Sequence, residues 1–329
     1  MSDMMKAVVM SGPGGPEVLE LRDVPRPEPG PGEVRVRVAS SGLNRADLLQ
    51  RMGRYPAPPG SPPDILGLEL AGTVDALGEG VSGLAVGDAV MGILGGGGYA
   101  EYALSPSETL VAAPPGMSLT TAGAIPEVFM TAFDAAFVQE RLTAAETLLV
   151  HAVGSGVGTA AVQLARRAGA TVIGTSRTPD KLERAIELGL HHGVLADERW
   201  PDRVLELTGG RGVDVILDLV GGPYLAGNQR VVAERGRHIV VGVPGGTDAT
   251  ISLRALMGRR ASIRGTVLRA RPVAEKRELA VAFVRDVLPA FATGELSPVV
   301  ERIFPASEAA EAHRLMESNR SFGKILLQW

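Results

Sequence analysis

The run from His151 to Ala165 places glycines at 154, 156 and 158 between an apolar stretch and a helix-like repeat. Glycines in that position let backbone amides close on a pyrophosphate, which the positive end of the following helix then holds. Gly154, Ser155, Gly156, Val157 and Gly158 are therefore expected to cradle a dinucleotide, although Thr159 stands where the strict G-x-G-x-x-G pattern wants a third small residue. An NAD site carries an acidic residue for the ribose 2'-hydroxyl about 20 residues further on. Here Ser176 and Arg177 stand there, with Lys181 close behind. A hydroxyl and two cations suit a 2'-phosphate, which predicts NADPH. Asp180 reads instead as a first-turn residue of the helix opened by Thr178 and Pro179, where a carboxylate favours the dipole.

Elsewhere the composition excludes more than it points to. The chain of 329 residues is 45% hydrophobic and 21% charged, the balance of a globular protein of about two domains. Thirty-three basic and 37 acidic residues give a net charge of -4, and aromatics are 4%, so neither nucleic acid nor an anionic membrane is an expected partner. With no cysteine there is no disulfide, thiolate metal site or cysteine nucleophile. His191 and His192 are neighbours and the other three histidines are scattered, without the i, i+4 spacing of a zinc pair. The first ten residues are too short and weak for a signal segment, and the glycines interrupt the least charged stretch, 147–165, as a membrane span. These features predict a cytoplasmic protein.

The elements that position these residues change character along the chain. Up to about residue 126, short strands alternate with Pro/Gly turns: Lys6–Met10, Glu17–Leu21, 33–39 with period-two alternation, Leu68–Leu77, Ala89–Leu94 and Tyr99–Leu104, with one helical pattern at Asn44–Met52. This part reads as a small β-barrel. Strands then alternate with amphipathic helices: strand 147–152, helix 157–168, strand 171–175, helix 179–188, and strands 213–220 and 237–243. Alternation of that kind argues a doubly wound parallel sheet, an α/β fold. After Val267 it stops, and a helix over 274–292, a strand near 299–304, a helix over 307–318 and a strand over 324–328 follow. The predicted domains are 1–127, 128–267 and 268–329, the last returning to the first.

At subfamily level several segments resemble the zinc-independent quinone oxidoreductase branch of the medium-chain dehydrogenase/reductase superfamily, and within it the tumour-suppressor-inducible enzymes of animals. They are Asn44–Tyr55 with its following prolines, Ala124-Ile-Pro-Glu127 with Thr131-Ala-Phe, the glycine turn, and Ile216–Gly222. The zinc-binding relatives carry a cysteine ligand before a Thr-Asp pair and a histidine in Gly-His-Glu; the matching positions here hold Asn44 and Leu68. The resemblance implies a Rossmann sheet plus a GroES-like β-barrel catalytic domain, NADPH as cofactor, a quinone as acceptor, and a homodimer joined through an exposed edge of the cofactor sheet. It also implies Asn44 and Tyr55 lining the acceptor pocket, Thr131 near the nicotinamide, and Gly242, Val243, Val267, Leu268, Asn319 and Lys324 around the cofactor. Ala196 stands where many relatives carry a tyrosine against the adenylate phosphate, which weakens the expected NADPH preference.

A quinone is a strong hydride acceptor, so neutral donors such as the Asn44 amide and the Tyr55 hydroxyl suffice to steady charge on its oxygen. Asn44 also reads as a helix N-cap before Arg45, and Tyr55 as a surface aromatic propped by Pro56. His151 reads as a core residue, and Asp47 and Glu69 as members of an internal ion pair. A reductase of activated C=C bonds is the rival enzyme, and a non-catalytic NADPH- or RNA-binding protein the rival class.

Overall fold

The computed structural model describes residues 3–329, and the chain divides into two compact units, one running to Met130 and resuming at Leu268–Trp329, the other Thr131–Val267. In the first unit β1 (Met4–Met10) and β2 (Leu19–Pro25) form an antiparallel hairpin. There follow β3 (Glu33–Gly42), α1 (Arg45–Arg51), β4 (Glu69–Leu77), β5 (Ala89–Ile93), β6 (Tyr102–Pro106), β7 (Leu110–Ala112), α2 (Leu119–Ala122) and α3 (Pro126–Phe133).

The second unit is a regular alternation: β8 (Thr147–Val150), α4 (Gly156–Arg167), β9 (Thr171–Ser176), α5 (Pro179–Glu187), β10 (His192–Leu195), α6 (Trp200–Leu207), β11 (Val213–Asp218), α7 (Leu225–Val231), β12 (Val232–Val240), α8 (Leu253–Arg259) and β13 (Ser262–Gly265). The chain closes with α9 (Val273–Asp286), α10 (Pro289–Ala292), β14 (Val300–Pro305), α11 (Ala309–Glu317) and β15 (Lys324–Gln328). The single helix expected over 274–292 is two, because Pro289 lacks the N–H that a continuing helix needs and its ring crowds the preceding turn. Among the described residues no helix is long and apolar enough to cross a membrane.

In the first unit the sheet order is β14-β15-β3-β4-β5-β7, with β6 also on β3. The closing strand β15 runs antiparallel to β3, Leu326 facing Gly42. Val34, Val36 and Val38 of β3 pack with Leu70, Val74 and Val90 into one core. Arg35 breaks the alternation, since it is also buried; Asp75 and Glu28 pair with its guanidinium at 2.6 and 2.7 Å, which makes burial of the charge tolerable.

In the second unit six parallel strands lie in the order β10-β9-β8-β11-β12-β13. That is the Rossmann order, whose direction reverses between β8 and β11 at the carboxyl ends of the strands. Leu149, Ile173, Val213 and Ile216 carry the core on one side with Trp200 and Val204. Into this core the fold admits one polar network. His151 is fully buried between Thr175 Oγ1 at 2.8 Å and Asn228 Oδ1 at 2.6 Å, and Asn228 Nδ2 donates to Asp218 Oδ2 at 3.0 Å, which His238 Nε2 also approaches at 3.0 Å. His151 is thus a core residue, as its place in the sequence implies.

Burial lowers the His151 pKa to about 4, since no carboxylate touches the ring directly. The unfolded chain binds the extra proton below about pH 6.5, so stability contributed by the neutral ring is full above that pH and is lost as pH falls towards 4. Urea denaturation from pH 7 to pH 4 is expected to show a loss to which His151 contributes about 3 kcal/mol. His151→Asn, less stable at pH 7, is expected to show a shallower slope.

Candidate active site and cofactor turn

In the second unit α4 begins at the glycine turn. Ser155 is its N-cap, with Oγ accepting from Gly158 N at 3.1 Å. The amides of Gly156 and Val157 start the helix and have no intrahelical acceptor, so they point at whatever lies beyond its positive end. A Cβ on Gly158 would lie 2.6 and 2.7 Å from the carbonyl oxygens of Val153 and Ala152. Gly158 therefore provides the close helix–strand approach that the third glycine of the strict pattern provides elsewhere. This frees the next position, and Thr159 Oγ1 donates to Gly156 O at 2.9 Å. Ala152, at φ 50, holds the left-handed conformation that turns the chain off β8.

At the end of β9, Ser176 is buried with Oγ accepting from Thr178 N at 3.2 Å, while Arg177 is exposed and close enough to Tyr224 to counter the rise that burial gives its hydroxyl. No carboxylate stands at that strand end. Asp180 is in the first turn of α5, and a hydrogen bond from Thr178 holds its carboxyl below the usual range. Lys181 follows it, half-buried. Thr131 is 8% exposed, and its Oγ1 is buried with no partner among the described residues. An orphaned hydroxyl, two helix-start amides and a glycine cradle fit a bound dinucleotide. Gly242 and Val243 lie in the loop after β12, where Gly242 N reaches Asp218 O at 3.4 Å and Val243 is 40% exposed. Val267 ends this unit exposed, whereas Leu268 is buried in the other.

The first unit holds a buried polar cluster around Glu69. Lys324 Nζ donates to Glu69 Oε1 at 2.6 Å, Asn44 Oδ1 at 2.8 Å and the Leu43 carbonyl at 2.6 Å, and neither charged side chain exceeds 3% exposure. Glu69 thus forms the expected internal ion pair. Asp47 does not: fully buried, it accepts from Asn44 N, Gly67 N and the Tyr99 hydroxyl, and burial raises its pKa to about 6. With three oxygens on Nζ, Lys324 commits its protons to protein groups of this cluster.

Asn44 is the N-cap residue of α1 by position, but its side chain faces inward, with Nδ2 donating to Gly42 O at 3.2 Å and Glu69 Oε1 at 2.9 Å. Both of its amide protons are thereby occupied. Asn319 Oδ1 accepts from Arg45 at 2.8 Å, which ties the residue after α11 to the start of α1. Tyr55 is half-buried, and its hydroxyl makes no hydrogen bond among the described residues; the Arg269 guanidinium lies 5.2 Å from its ring centroid.

Two residues beside this cluster were not candidates by type and spacing, although Glu127 closes one of the segments that carry the family resemblance. Arg269 is 3% exposed, with Nε on the Gly95 carbonyl at 2.8 Å and Nη2 on Gln50 Oε1 at 2.5 Å. Glu127 donates its backbone N–H to Glu69 Oε2 at 2.8 Å. The signal available was a charge inside an otherwise apolar stretch, at 122–133 and at 266–270.

A Rossmann-ordered sheet with this glycine turn, on a chain whose first and last segments build a separate β-sheet unit, defines a nucleotide-dependent oxidoreductase. Residues 30–115 match the family described as alcohol dehydrogenase GroES-like domain, and residues 156–285 the family described as zinc-binding dehydrogenase. The chain belongs to the medium-chain dehydrogenase/reductase superfamily. It is 32% identical to a quinone oxidoreductase of Sus scrofa over 98% of each chain, and 32% identical to a 2-haloacrylate reductase of a Burkholderia species over 98% of this chain and 99% of that one.

Among solved structures, an NAD-dependent alcohol dehydrogenase superposes with a TM-score of 0.88 at 38% identity over 99% of this chain and 100% of that one. A mycobacterial protein complexed with NADPH gives 0.89 at 27% over 99% and 100%, and the CurK enoyl reductase 0.86 at 27% over 98% and 99%. Zinc does not fit this chain's donors. Asn44 and Leu68 hold the ligand positions, Asn44 is bound to an ammonium group, and no trio of His, Cys, Asp or Glu among the described residues is arranged for a metal.

Lys324→Met leaves the Glu69 carboxylate buried without its cation, and urea denaturation is expected to show a loss of about 3–5 kcal/mol. Adding Glu69→Gln to that variant removes the stranded charge and is expected to recover part of the loss.

Proposed function

We propose that the protein is an NADPH-dependent, zinc-independent quinone oxidoreductase. The observation that carries this reading is the polar cluster of the first unit, where a closed ion pair holds the amide of Asn44, the residue that the resemblance sets at a zinc-ligand position. Without a Lewis acid the acceptor must already be electrophilic, and quinones are. A bound nicotinamide supplies a hydride at its C4. The chain's part is to grip and to steady charge. The Gly154–Gly158 turn takes the pyrophosphate at the start of α4, and Ser176, Arg177 and Lys181 take the 2'-phosphate in the absence of a carboxylate at the end of β9. Thr131 offers its unpartnered hydroxyl to the nicotinamide, and Gly242, Val243, Val267 and Leu268 flank the cofactor.

The Tyr55 hydroxyl donates to the acceptor oxygen. Asn44 lines the same pocket and, with both amide protons occupied, acts by holding Glu69 and Lys324 in place. Its donation to the acceptor requires exchange of one of those bonds. Asn319 orders the segment that follows α11. A reductase of activated C=C bonds is the second reading, favoured by the match to a 2-haloacrylate reductase and to an enoyl reductase.

Absorbance loss of NADPH with a small quinone is expected to be insensitive to chelator and faster than that of NADH. Arg177→Ala is expected to raise KM for NADPH about tenfold or more and to leave KM for NADH unchanged, the loss of a charge-assisted contact. Equal effects on both cofactors refute the phosphate role, and turnover of enones alone moves the function to double-bond reduction. We also propose a homodimer through β13, the exposed edge of the cofactor sheet, beside which Leu253 and Met257 of α8 are 67% and 75% exposed. A monomer mass in light scattering refutes it.

A further inference from the structure

One carboxyl group in the first unit has no part in the reading above. Glu127 opens α3 half-buried, and its backbone N–H is anchored on Glu69 Oε2, the other oxygen of the carboxylate that holds Lys324 and Asn44. Tyr55 and Arg269 both lie within electrostatic reach of its carboxyl group. Glu127 is thus tied through its backbone to the carboxylate that holds Asn44, and its charge acts on the Tyr55 hydroxyl. Its Oε2 is buried without a hydrogen-bond partner, and so is Arg269 Nη1. The neutral acid tolerates such burial far better than the carboxylate does. The anions around it are Glu69 and Asp47; the cations are Lys324, Arg269 and Lys276. Lys324 is already paired with Glu69, and Lys276 Nζ donates to the Arg269 carbonyl at 2.7 Å.

We propose that Glu127 is the proton donor that completes the reduction, an inference that rests on the oxidoreductase reading above. Two electrons and one hydrogen reach the acceptor as hydride from the nicotinamide, leaving an acceptor anion with its charge on oxygen. The O–H bond of Glu127 then breaks as an O–H bond forms on the acceptor, and the reduced acceptor leaves neutral. Glu127, now a carboxylate, takes a proton from solvent before the next turnover. The unpartnered Arg269 Nη1 supplies a cationic donor for that carboxylate, an anion that exists only within the cycle. Burial first, then repulsion by Glu69, raises the Glu127 pKa to about 8, so the acid is loaded at neutral pH.

The test compares wild type, Glu127→Gln and Glu127→Asp in kcat against pH with NADPH and a quinone, and follows the cofactor-free proteins by infrared difference spectroscopy across the same pH range. In the wild type, kcat is expected to fall above about pH 8, and a protonated carboxyl band to titrate over the same range. Glu127→Gln is expected to lose that band and the alkaline fall, with kcat at pH 7 lower by about a hundredfold, the usual scale of general acid catalysis, and KM for NADPH unchanged. Glu127→Asp is expected to recover part of kcat and of the alkaline fall. Wild-type kcat and an unchanged alkaline fall in Glu127→Gln overturn the proposal, as does a carboxyl already ionised at pH 7. Absence of turnover by the wild type with quinones and enones alike overturns the oxidoreductase reading instead, and the infrared titration still reports the state of Glu127.

Discussion

The ion pair of Lys324 with Glu69 joins parts of the first unit that lie far apart in the chain. Lys324 opens β15 and Glu69 opens β4, and the same two side chains hold Asn44 before α1 and the N–H of Glu127 at the start of α3. Burial makes such a pair sensitive to its surroundings, because a buried charge without its partner is far more costly than the pair is favourable. The four elements are therefore constrained to one relative placement, and the polar groups of the candidate acceptor pocket take their geometry from it. Asp47 reinforces the arrangement from within α1, binding the N–H of Asn44 and of Gly67.

The same cluster is closed by protein groups. Among the described residues the cation in contact with Asn44 and Glu69 is an ammonium whose three protons face protein oxygens. In the proposed reading charge stabilisation of the acceptor falls to groups at the margin of the cluster, where, among the described residues, Tyr55 has an unbonded hydroxyl and Arg269 an unpartnered N–H. The second unit supplies none of this. Among its buried polar groups, His151, Asn228, Asp218 and His238 satisfy one another inside the core and stiffen the sheet behind the glycine turn.

In the proposed reading cofactor choice rests on one strand end. The neighbouring structures include both an NAD-dependent dehydrogenase and a complex with NADPH, so the fold is compatible with either dinucleotide. What differs from an NAD site is local: β9 ends in Ser176 and Arg177, and the nearest carboxylate, Asp180, is drawn into the helix start by Thr178. A helix cap and a ribose ligand both call for a carboxylate, and position within the turn separates them.

The sequence by itself determined the class of each unit and the location of the nucleotide turn, because these follow from short-range periodicity: strand–helix alternation across 147–243, period two in β3, and glycines between a strand and a helix. It did not reveal β10 and β13. Each has four residues and lies at a sheet edge, where partly exposed strands such as His192–Leu195 and Ser262–Gly265 carry no apolar pattern. It singled out Asn44 and Lys324 but not their meeting at Glu69, since which oxygens surround an ammonium depends on contacts 255 to 281 residues apart. Glu127 and Arg269 became candidates only in the tertiary structure. A charge in an apolar stretch shows in one dimension, but whether it is solvated, paired or left facing a pocket is decided by what folding brings against it.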